Sequence, residues 1–242
     1  MKYLLGCDFG GGASKATLLR ADGKIAATAT AEYPTIYPKP GWAEQDPDKV
    51  YDAFLYNVKA VLEKSGVDPQ EIAAIALDGA THTAVLLDQD DRVIRPAIYW
   101  TDTRSAKEAE ELKAAHAKEI MDESFHLPGA MWTLPQLIWL KRHEPENFSK
   151  IRKIMSMKDY VRYRLNHDYV TDTIEAMGFM LLDVRTNEWS SFLCGLCGID
   201  PAILPKVVEP TARLKPLTPA AAAQTGLPAD LYVCLLYTSR CV

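Results

Sequence analysis

The residues best suited to chemistry stand close to the N-terminus, in the segment CDFGGGASK at residues 7–15. The glycines at positions 10–12 form a turn without side chains, so an anion can approach the backbone N–H groups closely. Asp8, just before the turn, can hold a divalent cation directly or through water, and Lys15, just after it, can neutralise phosphate charge. The segment therefore predicts a hairpin that binds the phosphates of a nucleotide.

The same segment also has a simpler interpretation as an ordinary hairpin turn. Three glycines in a short connection are common in such turns, and so is an Asp-x-Gly sequence. The spacing matches neither G-x-x-x-x-G-K-[ST] nor a strand–G-x-G-x-x-G–helix unit, because an apolar strand follows the glycines where a helix would be required. Taken alone, these residues leave both a phosphate site and a structural turn open.

Apolar runs on both sides of the glycines predict the strands that position them. Residues 3–7 and 16–19 have the pattern of buried strands. A second turn signal at residues 21–24 is followed by a third strand at residues 25–33. The chain is therefore expected to begin with an antiparallel meander of three strands.

The helix that follows has both ends marked in the sequence. Asp46 is a good N-cap, Pro47 suits the first helical position, and Gly66 provides the stop. A short apolar run at residues 72–77 then predicts a buried strand. The polar loop at residues 78–83 follows the carboxyl end of that strand, which is where ligands bind in open α/β sheets.

In the remaining two thirds of the chain, the residue pattern predicts helices mixed with short strands. Strands are expected as a hairpin at residues 84–94, at residues 97–100 and at residues 151–156. Helices are expected at residues 105–120, 133–141, 145–150, 158–165, 172–177, 189–196 and 219–225.

Composition restricts the class of protein. The 242 residues are 48% hydrophobic and 24% charged, which is ordinary for a soluble globular protein. The net charge of −5 argues against a nucleic-acid partner, and no apolar run approaches the length of a membrane span. The N-terminus lacks the pattern of a secretory signal. Five cysteines, an odd number, indicate a reduced cytoplasmic protein.

Taken together, four stretches resemble the FGGY carbohydrate kinases, and among them the xylulose kinases most closely. The order of meander, helix and parallel strand fits the ATPase domain shared by actin-like and hexokinase-like proteins. The four stretches are the hairpin at residues 8–15; GWAEQDP at residues 41–47; residues 75–105, with His82 and WTDTR at residues 100–104; and KDYVRYRL at residues 158–165 with VTD at 170–172 and LLD at 181–183.

The resemblance implies an α/β fold, namely a ribonuclease H-like (actin/hexokinase-type) ATPase domain with a mixed five-stranded sheet and flanking helices. It implies that residues 1–230 form the N-terminal, sugar-binding domain of a two-domain kinase that closes on its substrates. The implied reaction transfers the γ-phosphate of ATP to a sugar hydroxyl, with D-xylulose as the favoured acceptor and xylulose 5-phosphate as the product.

The resemblance also assigns roles to single residues. Asp8 is implied to lie near Mg²⁺ and the transferred phosphate. The residues implied to bind ATP are Asp8, Gly10, Gly11, Gly12, Ser14 and Lys15. The residues implied to line the sugar site are Thr81, His82, Trp100, Asp102 and Arg104. A polyol is bound by convergent donors and acceptors together with one flat apolar face, and these residue types provide both.

Structural interpretations of these residues stay open. His82 could cap backbone groups, and Trp100 could be a core or rim residue. Asp102 and Arg104 could form a local salt bridge that fixes the turn before a helix. Cys194 and Cys197 have the spacing of a metal or redox pair, but a tetrahedral zinc site needs four ligands and no second pair accompanies them. We therefore expect these two cysteines to pack at a helix end.

Two departures from the family pattern change the residues expected at the sugar site and at the glycine hairpin. Xylulose kinases usually have Gly-Gln-Met-His-Gly where this chain has GATHT at residues 79–83, so two long side chains become short. The usual Thr-Thr-Ser of the hairpin is Gly11-Gly12-Ala13 here, which removes hydroxyls that could bind phosphate or metal. A kinase of another ketose or polyol therefore stays open, as does a non-catalytic sugar-binding or regulatory domain.

The end of the chain also departs from the family pattern. A strand at residues 231–236 should lead to a glycine-rich loop bearing an aspartate, which is the catalytic base of the family, but residues 237–242 contain neither glycine nor aspartate. We expect residues 231–242 to be a truncated or non-native tail, the base and the C-terminal ATPase-like domain to be absent, and the chain alone to be inactive. The expected partners are the sugar and ATP, with no nucleic acid or membrane, and a homodimer stays open.

Overall fold

The first strand shows how this sequence builds a sheet with one face on a core. Along Tyr3–Phe9 (β1), Leu5, Cys7 and Phe9 are buried, while the residues between them lie on the more open face. Side chains of a strand point alternately to opposite faces, so this pattern places one face of the sheet on the protein interior. The structure is a computed structural model that describes residues 2–235.

Strands and helices are mixed along the described range, which begins with five strands before the first α-helix. In chain order the strands are Tyr3–Phe9 (β1), Ala13–Arg20 (β2), Ile25–Glu32 (β3), Thr35–Ile36 (β4), Glu44–Gln45 (β5), Ile72–Gly79 (β6), Ala84–Leu87 (β7), Ala97–Ile98 (β8), Lys153–Ser156 (β9), Val170–Asp172 (β10), Leu182–Asp183 (β11), Glu188–Trp189 (β12), Lys206–Val208 (β13), Arg213–Pro216 (β14) and Tyr232–Cys234 (β15). The α-helices are Pro47–Ser65 (α1), Ala106–Ser124 (α2), Thr133–His143 (α3), Pro145–Ser149 (α4), Met157–Asn166 (α5), Thr173–Met177 (α6), Ser191–Cys197 (α7) and Pro219–Thr225 (α8). Short 3₁₀ helices lie at Pro69–Glu71 and Pro201–Ile203.

The main sheet contains the predicted meander and parallel strand. Its order is β14-β15-β6-β1-β2-β3, in which β6 is parallel to both β1 and β15 and the other pairs are antiparallel. The described sheet has six strands where the sequence analysis expected five. The added edge strand, β14, has the polar sequence RLKP with Leu214 as its buried residue, so it lacks the apolar run that would have predicted it.

A smaller antiparallel sheet, in the order β4-β5-β8-β7-β9, joins two hydrophobic cores. One core packs α1, α5 and α8 against the main sheet, and the other packs α2, α3 and α7 against the smaller sheet. All four residues of β7 are buried; Val85 and Leu87 face the first core, and Ala84 and Leu86 face the second. This doubly buried strand unites the two cores.

The predicted ends of α1 are confirmed. The Asp46 side chain accepts a hydrogen bond from the backbone N–H of Asp48 (3.0 Å), Pro47 occupies the first position, and Gly66 follows the helix with a left-handed φ of 62°. Within residues 2–235, no helix combines the length and the apolar character needed to cross a membrane.

Several predicted boundaries differ from the structure. The second arm of the hairpin at residues 84–94 contributes only an isolated bridge from Val93 to Leu87. Trp189 belongs to β12, whereas the sequence predicted it in a helix, and that helix begins at Ser191. The strand expected at residues 231–236 is present as β15, while residues 236–242 of the expected tail lie outside the described residues.

Candidate functional site

The glycine turn presents backbone N–H groups outward because its carbonyl groups are bound from inside. The Tyr33 hydroxyl donates to the carbonyl of Gly10 (2.6 Å), and the Tyr33 backbone N–H donates to that of Gly12 (3.0 Å). The side-chain amide of Gln45 donates to the carbonyl of Gly11 (3.0 Å). Among residues 2–235 the N–H groups of Gly11 and Gly12 have no acceptor, and both residues are exposed. Adjacent free N–H groups at a turn can bind an anion.

Asp8 has a second carboxylate beside it. In the sheet it is paired with Lys15 of β2 on one side and with Asp78 of β6 on the other. Burial, followed by the charge of Asp78, raises the pKa of Asp8 above its ordinary value, whereas Lys15 lowers it. A cleft of about 350 Å³ lies over this face of the sheet, lined by these three charged residues and by Gly6 and Thr17 among others.

The acid pair is suited to a hydrated Mg²⁺ ion. Mg²⁺ usually binds through one or two carboxylates, with water and substrate phosphates completing its shell. Residues 2–235 contain no group of three or more His, Cys, Asp or Glu that could hold a metal ion by themselves. Asp8 and Asp78 would therefore need oxygens of water and of substrate phosphates to complete the shell of the ion. The sequence analysis assigned the metal to Asp8 alone. It missed Asp78, although the end of a parallel strand beside β1 was a usable signal.

Ser14 lies on the opposite face of the hairpin from Asp8 and Lys15. Its side chain is fully buried, its hydroxyl has no partner among the described residues, and its carbonyl accepts from the side chain of Asn57 (2.8 Å). The alternation of β2 turns position 14 towards the core. We therefore leave Ser14 out of the phosphate site, although the sequence analysis placed it there.

The ring of His82 is oriented by one backbone carbonyl. Its Nδ1 lies 3.1 Å from the carbonyl oxygen of Gly178. Since a carbonyl can only accept, Nδ1 carries the proton, and Nε2 of the neutral ring is left as an acceptor. Burial lowers the pKa of His82 below its ordinary value, which favours that neutral form. The residue also has a left-handed φ of 61°, a conformation that is uncommon outside glycine.

Two aromatic residues that were not predicted for the site form a group with His82. Trp132 meets the His82 ring edge-on at 4.5 Å between centroids, and His126 stacks on Trp132 at 4.4 Å. Both come from the loop between α2 and α3, and burial lowers the pKa of His126 as well. The only sequence signal was a concentration of aromatic residues just before a predicted helix.

A cavity of about 330 Å³ opens beside this aromatic group. It is lined by Ala80, Thr81, His82, Trp100 and Met131, so it gathers three of the five residues predicted for the sugar site. Trp100 is 40% exposed, which leaves an indole face available to a ligand. The backbone N–H of Ala80 donates to the carbonyl of Phe9 (2.9 Å), which places the loop directly beside the start of the glycine hairpin.

The other two predicted sugar ligands, Asp102 and Arg104, pair with each other away from solvent. The Arg104 guanidinium donates to both carboxylate oxygens of Asp102 (3.0 and 2.8 Å), and each side chain is 1% exposed. Asp102 also accepts from the backbone N–H of Ala43 (2.5 Å). The salt bridge that the sequence left open is therefore present. Because these charged atoms are already bound, we do not include the pair in the proposed sugar site.

This ion pair belongs to a larger buried network. Arg104 also lies 2.8 Å from Glu44, which is paired with Arg95, and Arg95 reaches Glu144 at 3.0 Å. The guanidinium of Arg104 rests 3.7 Å from the ring centroid of Trp42. The GWAEQDP and WTDTR stretches thus hold two parts of the chain together.

A second buried network lies behind the His82 loop. Lys158 is 3.1 Å from Asp159 and 2.8 Å from Asp172, and Glu175 lies farther away at 3.9 Å. Burial raises the pKa of Glu175 to about 8, with Asp159, Asp172 and Asp78 adding to the effect and Lys158 opposing it. Glu175 stands three residues before Gly178, whose carbonyl orients His82.

The pair Cys194 and Cys197 packs inside the second core, as expected. Both thiols are fully buried and free, and burial raises the pKa of each to about 12. A thiol with such a pKa carries little thiolate, which is the reactive form.

Known proteins resemble this chain over nearly all of its length. Residues 3–235 match the N-terminal domain of the FGGY family of carbohydrate kinases. The xylulose kinase of Bacillus subtilis (strain 168) is 35% identical over 227 residues, which are 94% of this chain and 46% of that protein. The chain spans about half the length of the curated relatives that it matches.

Solved structures give the same result for the fold. The ligand-bound xylulose kinase of Lactobacillus acidophilus superposes with a TM-score of 0.92 at 30% identity, covering 97% of this chain and 48% of that one. The gluconate kinase of the same organism gives a TM-score of 0.91 at 30% identity, covering 97% and 47%. These likenesses confirm the predicted fold class.

Proposed function

Because this chain belongs to the FGGY family of carbohydrate kinases, we propose that it forms the sugar-binding half of an ATP-dependent kinase. The favoured acceptor is D-xylulose, and the product is xylulose 5-phosphate. The observation that carries this proposal is the adjacency of the two half-sites, where the Ala80 N–H is bonded to the Phe9 carbonyl at the base of the glycine hairpin. A sugar in the His82 cavity would therefore lie close to phosphates on the hairpin.

The sugar half-site can bind a polyol by complementary groups. Nε2 of neutral His82 accepts a hydrogen bond from a sugar hydroxyl, and Thr81 offers a hydroxyl of its own. The exposed indole of Trp100 provides a flat apolar face for the carbon–hydrogen groups of the sugar. Trp132 restricts the movement of the His82 ring.

The phosphate half-site can stabilise charge on ATP. The free N–H groups of Gly11 and Gly12 bind phosphate oxygens, and Lys15 neutralises part of their charge. Asp8 and Asp78 would hold Mg²⁺, which supplies charge neutralisation at the transferred phosphate when bound. Phosphoryl transfer depends mostly on such positioning and charge stabilisation.

A base must also accept the proton of the sugar hydroxyl. None of the five residues that line the described His82 cavity carries a carboxylate that could act as this base. We therefore expect this polypeptide to bind the sugar without phosphorylating it, so sugar-dependent turnover of ATP by the pure chain would contradict this part of the proposal.

The first experiment is a calorimetric titration of the 242-residue chain with D-xylulose. His82→Ala should weaken binding at least tenfold, because it removes an acceptor and a wall of the cavity. The matched control is His143→Ala, since His143 is an exposed residue of α3 outside the cavity. Equal affinities of the wild type and His82→Ala, or no sugar binding at all, would overturn the proposed sugar site.

A kinase of another sugar or polyol is the second candidate. Ala80 and Thr81 leave more space than the longer residues usual in xylulose kinases, and one similar structure is described as a gluconate kinase. Titrating the same chain with ribulose, glycerol and gluconate would distinguish these acceptors. Binding of one of them at least tenfold tighter than xylulose would favour this candidate.

We further propose that the protein works in the cytoplasm, because the buried Cys7, Cys194 and Cys197 are free thiols. The proposed partners are the sugar and ATP. A homodimer stays a prediction, as does the tail boundary at residue 231.

A further inference from the structure

The ring of Tyr99 lies directly against the tip of the glycine hairpin. A methyl group on Gly11 would stand 2.7 Å from the Tyr99 hydroxyl oxygen and 3.4 Å from the ring carbon that carries it. Gly11 is not among the residues with a left-handed φ, so its backbone does not require glycine. The Tyr99 hydroxyl is therefore what excludes a side chain at this position.

The position of Tyr99 is set by the smaller sheet. Its backbone N–H donates to the carbonyl of Ala43 (2.9 Å), directly after β8 ends, and the residue is 7% exposed. The hydroxyl thus reaches the hairpin from a rigid part of the fold. The hairpin tip has no hydroxyl of its own, because its residues are Gly11, Gly12 and Ala13.

The hydroxyl proton of Tyr99 is free to be donated. The Trp100 ring lies 5.9 Å from the Tyr99 ring between centroids, and an indole N–H can only donate, so Trp100 cannot take the phenol proton. Among residues 2–235 no acceptor receives the phenol proton. Burial raises the pKa of Tyr99 above its ordinary value, which keeps the group protonated.

We propose that the Tyr99 hydroxyl donates a hydrogen bond to a phosphate oxygen bound at the N–H groups of Gly11 and Gly12. Tyr99 is then a phosphate-binding residue that neither the hairpin sequence nor the family pattern assigns. Tyr99 directly precedes Trp100, which lines the sugar cavity, so it lies between the two half-sites. This inference rests on the proposed function, because it concerns the same phosphate site.

A simpler role for Tyr99 is packing against the glycines. The two roles are separated by Tyr99→Phe, which keeps the ring and removes only the hydroxyl. Packing alone predicts unchanged phosphate binding in this variant, whereas donation predicts a loss of about tenfold, typical of a hydrogen bond to a charged group.

The test is a titration of the 242-residue chain with magnesium tripolyphosphate, followed by ³¹P NMR. Tyr99→Phe should bind this probe about tenfold more weakly than the wild type. Tyr56→Phe is the matched control, because Tyr56 is 60% exposed on α1 and is not among the residues that line the cleft beside the hairpin. A compensating pair completes the design: Gly11→Ser together with Tyr99→Leu should bind the probe more tightly than Tyr99→Leu alone, since serine returns a hydroxyl to the vacated space.

The outcomes separate this inference from the function on which it rests. Equal affinity of the wild type and Tyr99→Phe would overturn the role of Tyr99 and leave the phosphate site standing. If the wild type failed to bind tripolyphosphate, both the phosphate half-site and the role of Tyr99 would be overturned. The xylulose titration judges the sugar half-site independently in either case.

Discussion

His82 owes its chemistry to a residue almost one hundred positions away in the chain. The Gly178 carbonyl fixes which nitrogen carries the proton, and the absence of a side chain on Gly178 makes room for the ring, since a methyl group there would stand 2.8 Å from Nδ1. Glu175, one helical turn earlier, is the buried acid closest in sequence to this contact. A buried carboxyl with a raised pKa therefore lies three residues from the carbonyl that orients His82.

Glu175 gives a prediction about stability and pH. Burial raises its pKa to about 8, against an ordinary value of 4.5, so the folded protein holds this proton more tightly than the unfolded chain. The stabilisation is fully present below pH 4.5 and is lost as the pH rises towards 8. Glutamine does not titrate, so Glu175→Gln should not show this loss. The free energy of unfolding of the variant, relative to that of the wild type, should rise by about 3 kcal/mol from pH 5 to pH 8.

Urea unfolding of both proteins across this pH range measures the effect. The charged groups acting on Glu175 are Lys158, Asp159, Asp172 and Asp78, and all four stay in the variant. Glu188→Gln, at an exposed position in β12, is the control and should follow the wild type. Parallel curves for wild type and Glu175→Gln would show that Glu175 does not titrate in this range.

At the scale of elements, the helix and strand ends set the positions of the site residues. β1 ends at the glycine hairpin, β6 ends at the His82 loop, and their parallel register brings Asp8 beside Asp78 and Phe9 beside Gly79. A methyl group on Gly79 would lie 3.1 Å from the Phe9 carbonyl, so the glycine permits this close approach. The helix α1 leads from β5 towards β6 and packs against the buried face of the sheet.

The end of α1 offers a test of helix capping with an internal control. Gly66 has a left-handed φ of 62° and open space around its missing side chain, whereas Gly195 lies inside α7 without a left-handed φ and also has open space. Gly66→Ala should lower stability by about 1 kcal/mol, because alanine is strained in the left-handed conformation. Gly195→Ala should raise it by roughly 0.5 to 1 kcal/mol, because alanine favours the helix. Thermal unfolding measures the change in Tm for the two alanine variants. A change of Tm in the same direction for both would refute the capping argument.

At the scale of the whole molecule, two features unite the parts of the chain. The strand β7 contributes to both hydrophobic cores, and the network of Asp102, Arg104 and Glu44 joins distant segments beneath Trp42. Buried charges of this kind stabilise the fold only while all their partners are present, because a buried charge without a partner raises the free energy of the folded state. The network therefore makes correct assembly of these segments a condition of folding.

A matched pair of ion pairs tests this role. Arg104 with Asp102 and Arg185 with Asp183 have the same spacing and the same two-pronged hydrogen bonds, but the first pair is buried and the second lies at the surface. Arg104→Ala should destabilise the fold by roughly 3 to 5 kcal/mol, because it leaves Asp102 buried without its partner. Arg185→Ala should have little effect, since water replaces the lost contact.

Chemical denaturation measures the free energy of unfolding of both arginine variants. A xylulose titration of Asp102→Asn tests the sugar role that the sequence assigned to this network. We expect Asp102→Asn to lose stability and to keep its affinity for xylulose within threefold at temperatures where it is folded. A large loss of affinity without a loss of stability would instead return Asp102 to the sugar site.

The sequence by itself determined the elements whose signals are local. The apolar runs, the caps of α1 and the glycine turn depend on neighbouring residues, so they predicted the meander, the helix and the parallel strand correctly. The edge strand β14 was not predicted, because such a strand depends on pairing with distant residues more than on its own composition.

The tertiary structure decided which of the chemically suited residues meet. It placed Asp78 beside Asp8, gave His82 its orienting carbonyl at Gly178, and brought the Tyr99 hydroxyl against Gly11. It also turned Ser14 into the core and bound Asp102 to Arg104, although their residue types suited a ligand site equally well. Residue type fixes what a group can do, but its neighbours in space fix its burial, its protonation and its free hydrogen bonds, and these follow only from the packing of distant parts of the chain.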